Sequence, residues 1–188
     1  MNRRALVAVL LLAVVAPSWS ATATAEAIRF RVQPEASEVI FRATSRLMNA
    51  EGRFQQVSGE VVVDPTDLAT AKVTLSIDTA SIDTGIGMRD SHLRSEDFFD
   101  VKRYPHITFE SERVEAAGRN ASVYGRLTVH GVTREIAVPV RVDVTALALV
   151  ATGELVINRR DYGLTYQSIL NPIGNDVRVS FTFRARPV

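Results

Sequence analysis

The chain has 188 residues, with 22 Lys and Arg against 21 Asp and Glu, three His, one Trp and no Cys. A formal charge of +1 offers no basic field for a polyanion, which excludes an electrostatically driven nucleic-acid binder. Without cysteine there are no disulfide staples, so stability has to come from a buried core; a single domain of about 160 residues can bury roughly 70% of its unfolded surface.

The N-terminus carries a short basic region, Asn2-Arg3-Arg4, then an apolar run from Ala5 to Ala16 that ends at Pro17. Small-residue pairs follow, Ala23 with Ala25 and Ala25 with Ala27. This is the pattern of a secretory signal peptide, too short to span a bilayer. Residues 1–27 are therefore expected to be removed, with cleavage after Ala25 or Ala27 and general secretion favoured over the twin-arginine route. Without them, basic and acidic residues balance at 20 each. The domain is expected over residues 28–188, in the periplasm or secreted, with no stable membrane anchor.

Period-two alternation then dominates. Ile28, Phe30 and Val32 form a first strand ended by Pro34; Val39, Phe41 and Ala43 form a second that could extend to Met48. Gly52 to Val63 and Val73 to Ile77 continue the pattern. After residue 106 come Ile107 and Phe109, then Val123 to Val129, then Ile136 to Val144. Leu147 to Ile157 and Val177 to Phe183 complete the set. Alternating β-branched residues of this kind mark half-buried antiparallel strands. Pro139 within one of them suggests an edge or a bulge. Eight or nine long strands without βαβ alternation imply a barrel or a sandwich. An eight-stranded barrel either fills with side chains or holds one small ligand.

One stretch breaks the rhythm. Ser81 to Ser111 crowds Arg89, Asp90, His92, Arg94, Glu96, Asp97 and Asp100 among Met88, Leu93, Phe98 and Phe99, and stops at Tyr104-Pro105. It reads as a charged helical insert. The three histidines, His92, His106 and His130, have no metal-ligand spacing. Ser91, His92 and Asp97 lack a nucleophile elbow. The carboxylates lie beside cations and are explained more simply by local pairs and caps than by acid–base chemistry. A second irregular segment, Tyr162 to Ile173, is apolar for a loop and is read either as a cap over one end or as a mobile lid.

The insert also carries a resemblance. SIDTG, RDSHLRSEDFFD and YPHITFES resemble the signature of the YceI-like family of exported lipid-binding proteins, and GRLTVHGVTREIAVPV, INRRDYGL and IGNDVRVSF extend the match over nearly the whole exported chain. The resemblance implies an all-β fold, an extended eight-stranded antiparallel lipocalin-like barrel with a short helical insert. It implies a polyisoprenoid ligand, a polyprenyl or quinone tail held in the lumen. This chain departs from the family at Pro34-Glu35-Ala36-Ser37-Glu38 and at Thr44-Ser45-Arg46, where histidines are usual.

Burying hydrocarbon contributes about 0.8 kcal/mol per methylene, so a few isoprene units suffice for tight binding. The candidate ligand-binding residues are Phe41, Leu75, Met88, Leu93, Phe98, Phe99, Phe109 and Tyr166; ordinary core packing explains each equally well. The expectation is a non-enzymatic binding or carrier protein for an isoprenoid lipid, with no catalytic residues, no metal, no cofactor and no nucleic-acid partner; its assembly is open, a homodimer being one option. The alternatives are an enzyme for an apolar substrate using Arg89, Asp90 and His92, and a structural barrel without ligand.

Overall fold

The computed structural model describes residues 26–47 and 49–188. The expected leader lies outside the described residues except for its last two positions, as does Met48. The elements are β1 (Ile28–Val32), β2 (Glu38–Ser45), β3 (Ala50–Phe54), β4 (Val57–Asp64), β5 (Asp67–Asp78), β6 (Ile82–Asp83), α1 (Gly87–Arg94), β7 (His106–Ala117), β8 (Asn120–Val129), β9 (Val132–Val144), β10 (Leu149–Asn158) and β11 (Ile173–Pro187).

The strands pair antiparallel in the order β1-β4-β5-β7-β8-β9-β10-β11, and β11 returns to β1. This closes the eight-stranded barrel, and closure removes the unpaired edges of an open sheet. β11 is long enough to hold two partners on one side. Val177 to Thr182 pair with β2, and Ala185 to Pro187 pair with β1. β1 and β2 are thus successive halves of one position in the ring, separated by a 3-10 turn at Pro34–Ala36, where proline withholds a ladder donor. β3 and β4 divide the next position in the same way, with β3 pairing to β2 and β6, and β4 to β1 and β5.

Several boundaries differ from the sequence reading. β2 ends at Ser45, short of Met48. Leu147 sits in the β9–β10 turn, 80% exposed, and β10 starts at Leu149. Pro139, expected at an edge or bulge, lies in an interior strand opposite Ser122 of β8. Its missing N–H is tolerated because β9 pairs with β10 only from Val140 onward, which gives this residue a local edge inside a closed ring.

The outer face carries cross-strand ion pairs such as Arg29 and Arg31 with Glu60, Arg42 with Glu51 and Arg126 with Glu110. Each is solvent-exposed and contributes little to stability, but together they keep the outside wet. The inner face is apolar and unevenly packed. At the end of the barrel that holds the β4–β5, β7–β8 and β9–β10 turns, Phe30, Val63, Leu149 and Ala185 are buried and close the lumen. At the opposite end Phe54, Ile82, Ile107, Tyr162 and Leu164 pack beneath the insert. Between these layers the inward side chains of Phe41, Leu75, Val179 and Phe181 are only half-buried.

The insert is fastened by a few polar contacts. Asp90, 6% exposed, accepts the Thr84 N–H at 2.9 Å and also the Thr84 hydroxyl. Arg89 Nε donates to Thr84 Oγ1 at 2.8 Å. Arg89 and Asp90 therefore both clamp Thr84 rather than pairing with each other. Arg94 donates to the carbonyls of Ala80 and Ile82. Asp83 accepts the Gly85 N–H at 2.8 Å and Gln55 Nε2 at 2.7 Å, and the Gly85 bond is the main reason its carboxyl stays below the ordinary range. Stability from that depressed carboxyl is fully present above its unfolded pKa and is lost as pH falls through the lower folded value. Beyond α1, Tyr104 lies on the tight β8–β9 turn. His130 and Gly131 have φ of 51° and 73°, and a Cβ on Gly131 would come within 2.5 Å of the Tyr104 ring. Only glycine fits both the conformation and the space.

The uneven packing and the Thr84 clamp set the expected cost of substitutions. Phe30→Ala, at a site with 0% exposure, should lower unfolding free energy by about 3–5 kcal/mol. Phe181→Ala, facing the open lumen, should cost roughly half as much because its cavity already exists; equilibrium denaturation reads both. Asp90→Ala strands the Thr84 donors and should cost about 1–3 kcal/mol, with faster amide exchange in α1 than in β8.

Candidate functional site

Buried and half-buried inner residues together surround a cavity of about 530 Å³, within the range of small-molecule sites. Its wall is built from inward positions around the ring: Val73 and Leu75 of β5, Val123 and Leu127 of β8, Val140 and Val142 of β9, Val179 and Phe181 of β11. Gly153 on β10 makes room for one of these walls, since a Cβ there would meet the Phe181 ring at 2.5 Å.

The polar lining is gathered at the helix end. Ser45, Arg89, His92, Thr108, Arg159, Ser168 and Asn171 line the cavity there, contributed by β2, α1, the start of β7, the β10–β11 connection and its 3-10 turn at Arg159–Tyr162. Among the described residues that line the cavity, none is a carboxylate. Arg159 is 3% exposed and satisfies its guanidinium with carbonyls: Nε to Gly174 at 3.0 Å, Nη2 to Ile173 at 3.2 Å, and Nη1 to Leu164. Burial pushes its pKa down, with Arg160 adding to the effect, yet a guanidinium keeps its proton. The mouth of an apolar lumen thus holds a buried cation whose charge meets backbone dipoles. Such a mouth suits an acceptor-bearing head group, while the lumen suits hydrocarbon.

Two aromatic sets frame the entrance. Phe41, Phe54 and Phe99 run in series, with centroids 5.7 Å and 6.0 Å apart. His92 meets Phe98 edge-on at 5.3 Å and Tyr166 at 4.8 Å, and Phe98 packs on Tyr166 at 4.9 Å. His92 is also 3.5 Å from Asp97. These contacts join the insert to the β10–β11 connection and lay both across one barrel end.

Of the eight residues singled out from the sequence, Phe41, Leu75, Leu93, Phe98, Phe99, Phe109 and Tyr166 lie on the cavity wall. Met88 does not; it is 86% exposed on the outer side of α1, because the helix turns Arg89, His92 and Leu93 inward instead. Of the alternative trio, Arg89 and His92 reach the cavity, whereas Asp90 is spent on Thr84. Sequence reasoning missed Arg159, Ser168 and Asn171. Arg159 had a signal, an arginine pair directly after an alternating strand. Ser168 and Asn171 had none, since a loop without periodicity does not say which side chains turn inward.

The YceI-like domain family matches residues 30–185, from β1 through β11. A UPF0312 protein of Pseudomonas aeruginosa is 41% identical over 87 residues, and one of Vibrio cholerae 39% over 89 residues. The aligned parts span 46–47% of this chain and 46–47% of those relatives, about half the length of each. Among solved structures, Burkholderia cenocepacia BcnA superimposes with a TM-score of 0.75 at 28% identity, over 81% of this chain and 98% of BcnA. A polyisoprenoid binding domain from Saccharophagus degradans gives 0.72 at 22% identity, over 86% and 99%. The Campylobacter jejuni YCEI protein gives 0.67 at 25%, over 75% and 86%. A closed antiparallel barrel with this insert, matched by the family over nearly its full length, places the chain in the YceI-like family.

Proposed function

We propose that this protein is a periplasmic or secreted carrier that holds one isoprenoid lipid, the hydrocarbon chain in the barrel lumen and the head group at the helix end. The observation that carries the reading is the segregation of the cavity: an apolar wall along its length, with Ser45, Arg89, His92, Thr108, Arg159, Ser168 and Asn171 at one end. The solved neighbour from S. degradans is described as a polyisoprenoid binding domain, the ligand chemistry that a wall of this kind suits. Affinity comes from hydrocarbon leaving water, about 0.8 kcal/mol per methylene. A few isoprene units supply enough to offset the cost of immobilising a flexible chain. The polar end orients the lipid rather than drawing it in. The role is binding and delivery, with Arg89 and His92 facing the head group and not a reaction.

Organic extraction of protein purified from its native host, followed by mass spectrometry, should yield a prenylated lipid in near-stoichiometric amount. Recovery of none, with no uptake of added polyprenyl chains, would sink the reading. Ala151 lines the lumen, so Ala151→Trp should abolish lipid retention while leaving the melting temperature close to that of the parent. Phe98→Ala or Phe99→Ala should lower retention by about tenfold, close to the loss expected for an aromatic contact of about 1–1.5 kcal/mol. His92→Ala should lower it less; equal loss in all three variants contradicts the weight given to the two phenylalanines.

A further inference from the structure

Eight large apolar side chains are strongly exposed among the described residues, and most of them are not scattered. Leu47 is 73% exposed, Ile86 46%, Met88 86%, Ile169 95% and Leu170 84%. These five belong to three segments, the β2–β3 connection, the start of α1 and the β10–β11 connection. The same segments supply most of the polar lining of the cavity mouth, Ser45 coming from the end of β2 just before the first. In sequence the two sets interleave: Ser45 lines the mouth and Leu47 faces out; Arg89 lines it between Met88 and the rest of α1; Ser168 and Asn171 line it on either side of Ile169 and Leu170.

The three segments are tied together. The Leu47 N–H donates to Asn171 Oδ1 at 2.9 Å, Asn171 Nδ2 donates to Ser45 Oγ at 3.1 Å, and the Arg46 N–H donates to the Pro172 carbonyl at 3.3 Å. Tyr166 joins the third segment to α1 through its edge contact with His92. The exposed apolar groups therefore form a collar of joined segments at the helix end, beside the polar lining of an apolar lumen. The opposite barrel end is closed by buried Phe30, Val63, Leu149 and Ala185, so the collar lies at the end where irregular segments rather than strands cover the lumen.

We infer that this collar is a bilayer-docking surface, which seats the mouth in the interfacial region of a membrane so that lipid passes between bilayer and lumen without crossing water. The cargo half of this statement rests on the lipid-binding reading; the docking half does not. Exposed apolar groups on short segments at one end of a barrel whose outer wall is charged can enter the interfacial region as the apolar face of an amphipathic helix does, and a patch of this kind signals a binding surface. Continuity with the lumen selects the occupant. A second copy seated on the collar would seal both mouths, whereas a bilayer leaves the lumen in contact with the phase in which isoprenoid lipids dissolve. Docking through five side chains is reversible, which a carrier needs.

The test is flotation of the lipid-free chain of residues 28–188 with phosphatidylcholine–phosphatidylglycerol vesicles, for the parent, the triple variant Leu47→Ser/Ile169→Ser/Leu170→Ser and the control Leu147→Ser. Leu147 is 80% exposed on the β9–β10 turn at the closed end. All four positions are exposed, so the variants should fold. The parent and Leu147→Ser should float together, and the triple variant should bind vesicles at least about tenfold more weakly, a loss of about 1.4 kcal/mol or more. Uptake of a polyprenyl alcohol from detergent micelles should be equal in all three, while uptake from vesicles should slow only in the triple variant. A parent that does not float, a triple variant that floats as well as the parent, or collar substitutions that split a dimer without changing flotation would each overturn docking. Failure of all variants to take lipid from micelles would instead overturn the lipid-binding reading, leaving the flotation result to decide the collar.

Discussion

The structure depends on closure of the hydrogen-bonded ring. Once β11 pairs with β10 on one side and with β2 and β1 on the other, the wall becomes a hoop. Its diameter is fixed by strand number and stagger rather than by side-chain volume. Apolar side chains on the inner face then cannot collapse on one another as the two sheets of a sandwich would. A valine-rich inner face leaves space that larger residues would fill, and that space is the cavity. The ladder of backbone hydrogen bonds therefore supports the lumen against the hydrophobic effect, which packs the same residues into clusters along the wall but cannot close the space between opposite walls.

Closure also explains how tightly the two ends are specified. One end is plugged by β1, where Phe30 is inaccessible to solvent. The strand break at Pro34–Ala36 lets β1 and β2 take separate partners along β11. The other end is finished by irregular segments: α1, the turns up to Tyr104, and the connection from Arg159 to Pro172. Together with Ser45 and Phe41 of β2, Phe54 of β3 and Leu47 between those strands, these carry the polar groups, the entrance aromatics and the exposed collar. Thr84 is the anchor of the insert, held by both Asp90 and Arg89. Arg159 has the same role for the second segment, drawing the carbonyls of Leu164, Ile173 and Gly174 around one guanidinium. An arginine that organises a loop with its donors still presents its charge to the lumen, so one residue supports both the shape and the chemistry of the mouth.

Much of this is legible in the sequence, and the reason is periodicity. A period of two survives in strands that face an apolar lumen as well as in strands that face a packed core. The strands and their inward faces can therefore be read from alternation such as Ile136, Val138, Val140 and Val142. The same fact makes the cavity illegible. Phe181 and Phe30 alternate identically in sequence, yet one faces open space and the other is fully buried. Nor does alternation announce a strand shared between two partners, which is why the β1/β2 and β3/β4 divisions emerge only from the pairing. Phe98 and Phe99 fall where expected because adjacent aromatics in a short insert have few places to go. Met88 does not, because an eight-residue helix with a buried acid at Asp90 orients by its polar clamp, not by its most apolar side chain.

The central claim is that the lumen is a lipid site rather than an unfilled core. The most direct measurement is a crystal structure of the protein purified from its native host without detergent. A lipid site predicts continuous chain-like density from the closed end near Val142 to the mouth, with a head group among Arg89, His92 and Arg159. A lumen filled by ordered water, or walls collapsed so that no continuous cavity runs from Val142 to Arg89, would contradict that claim.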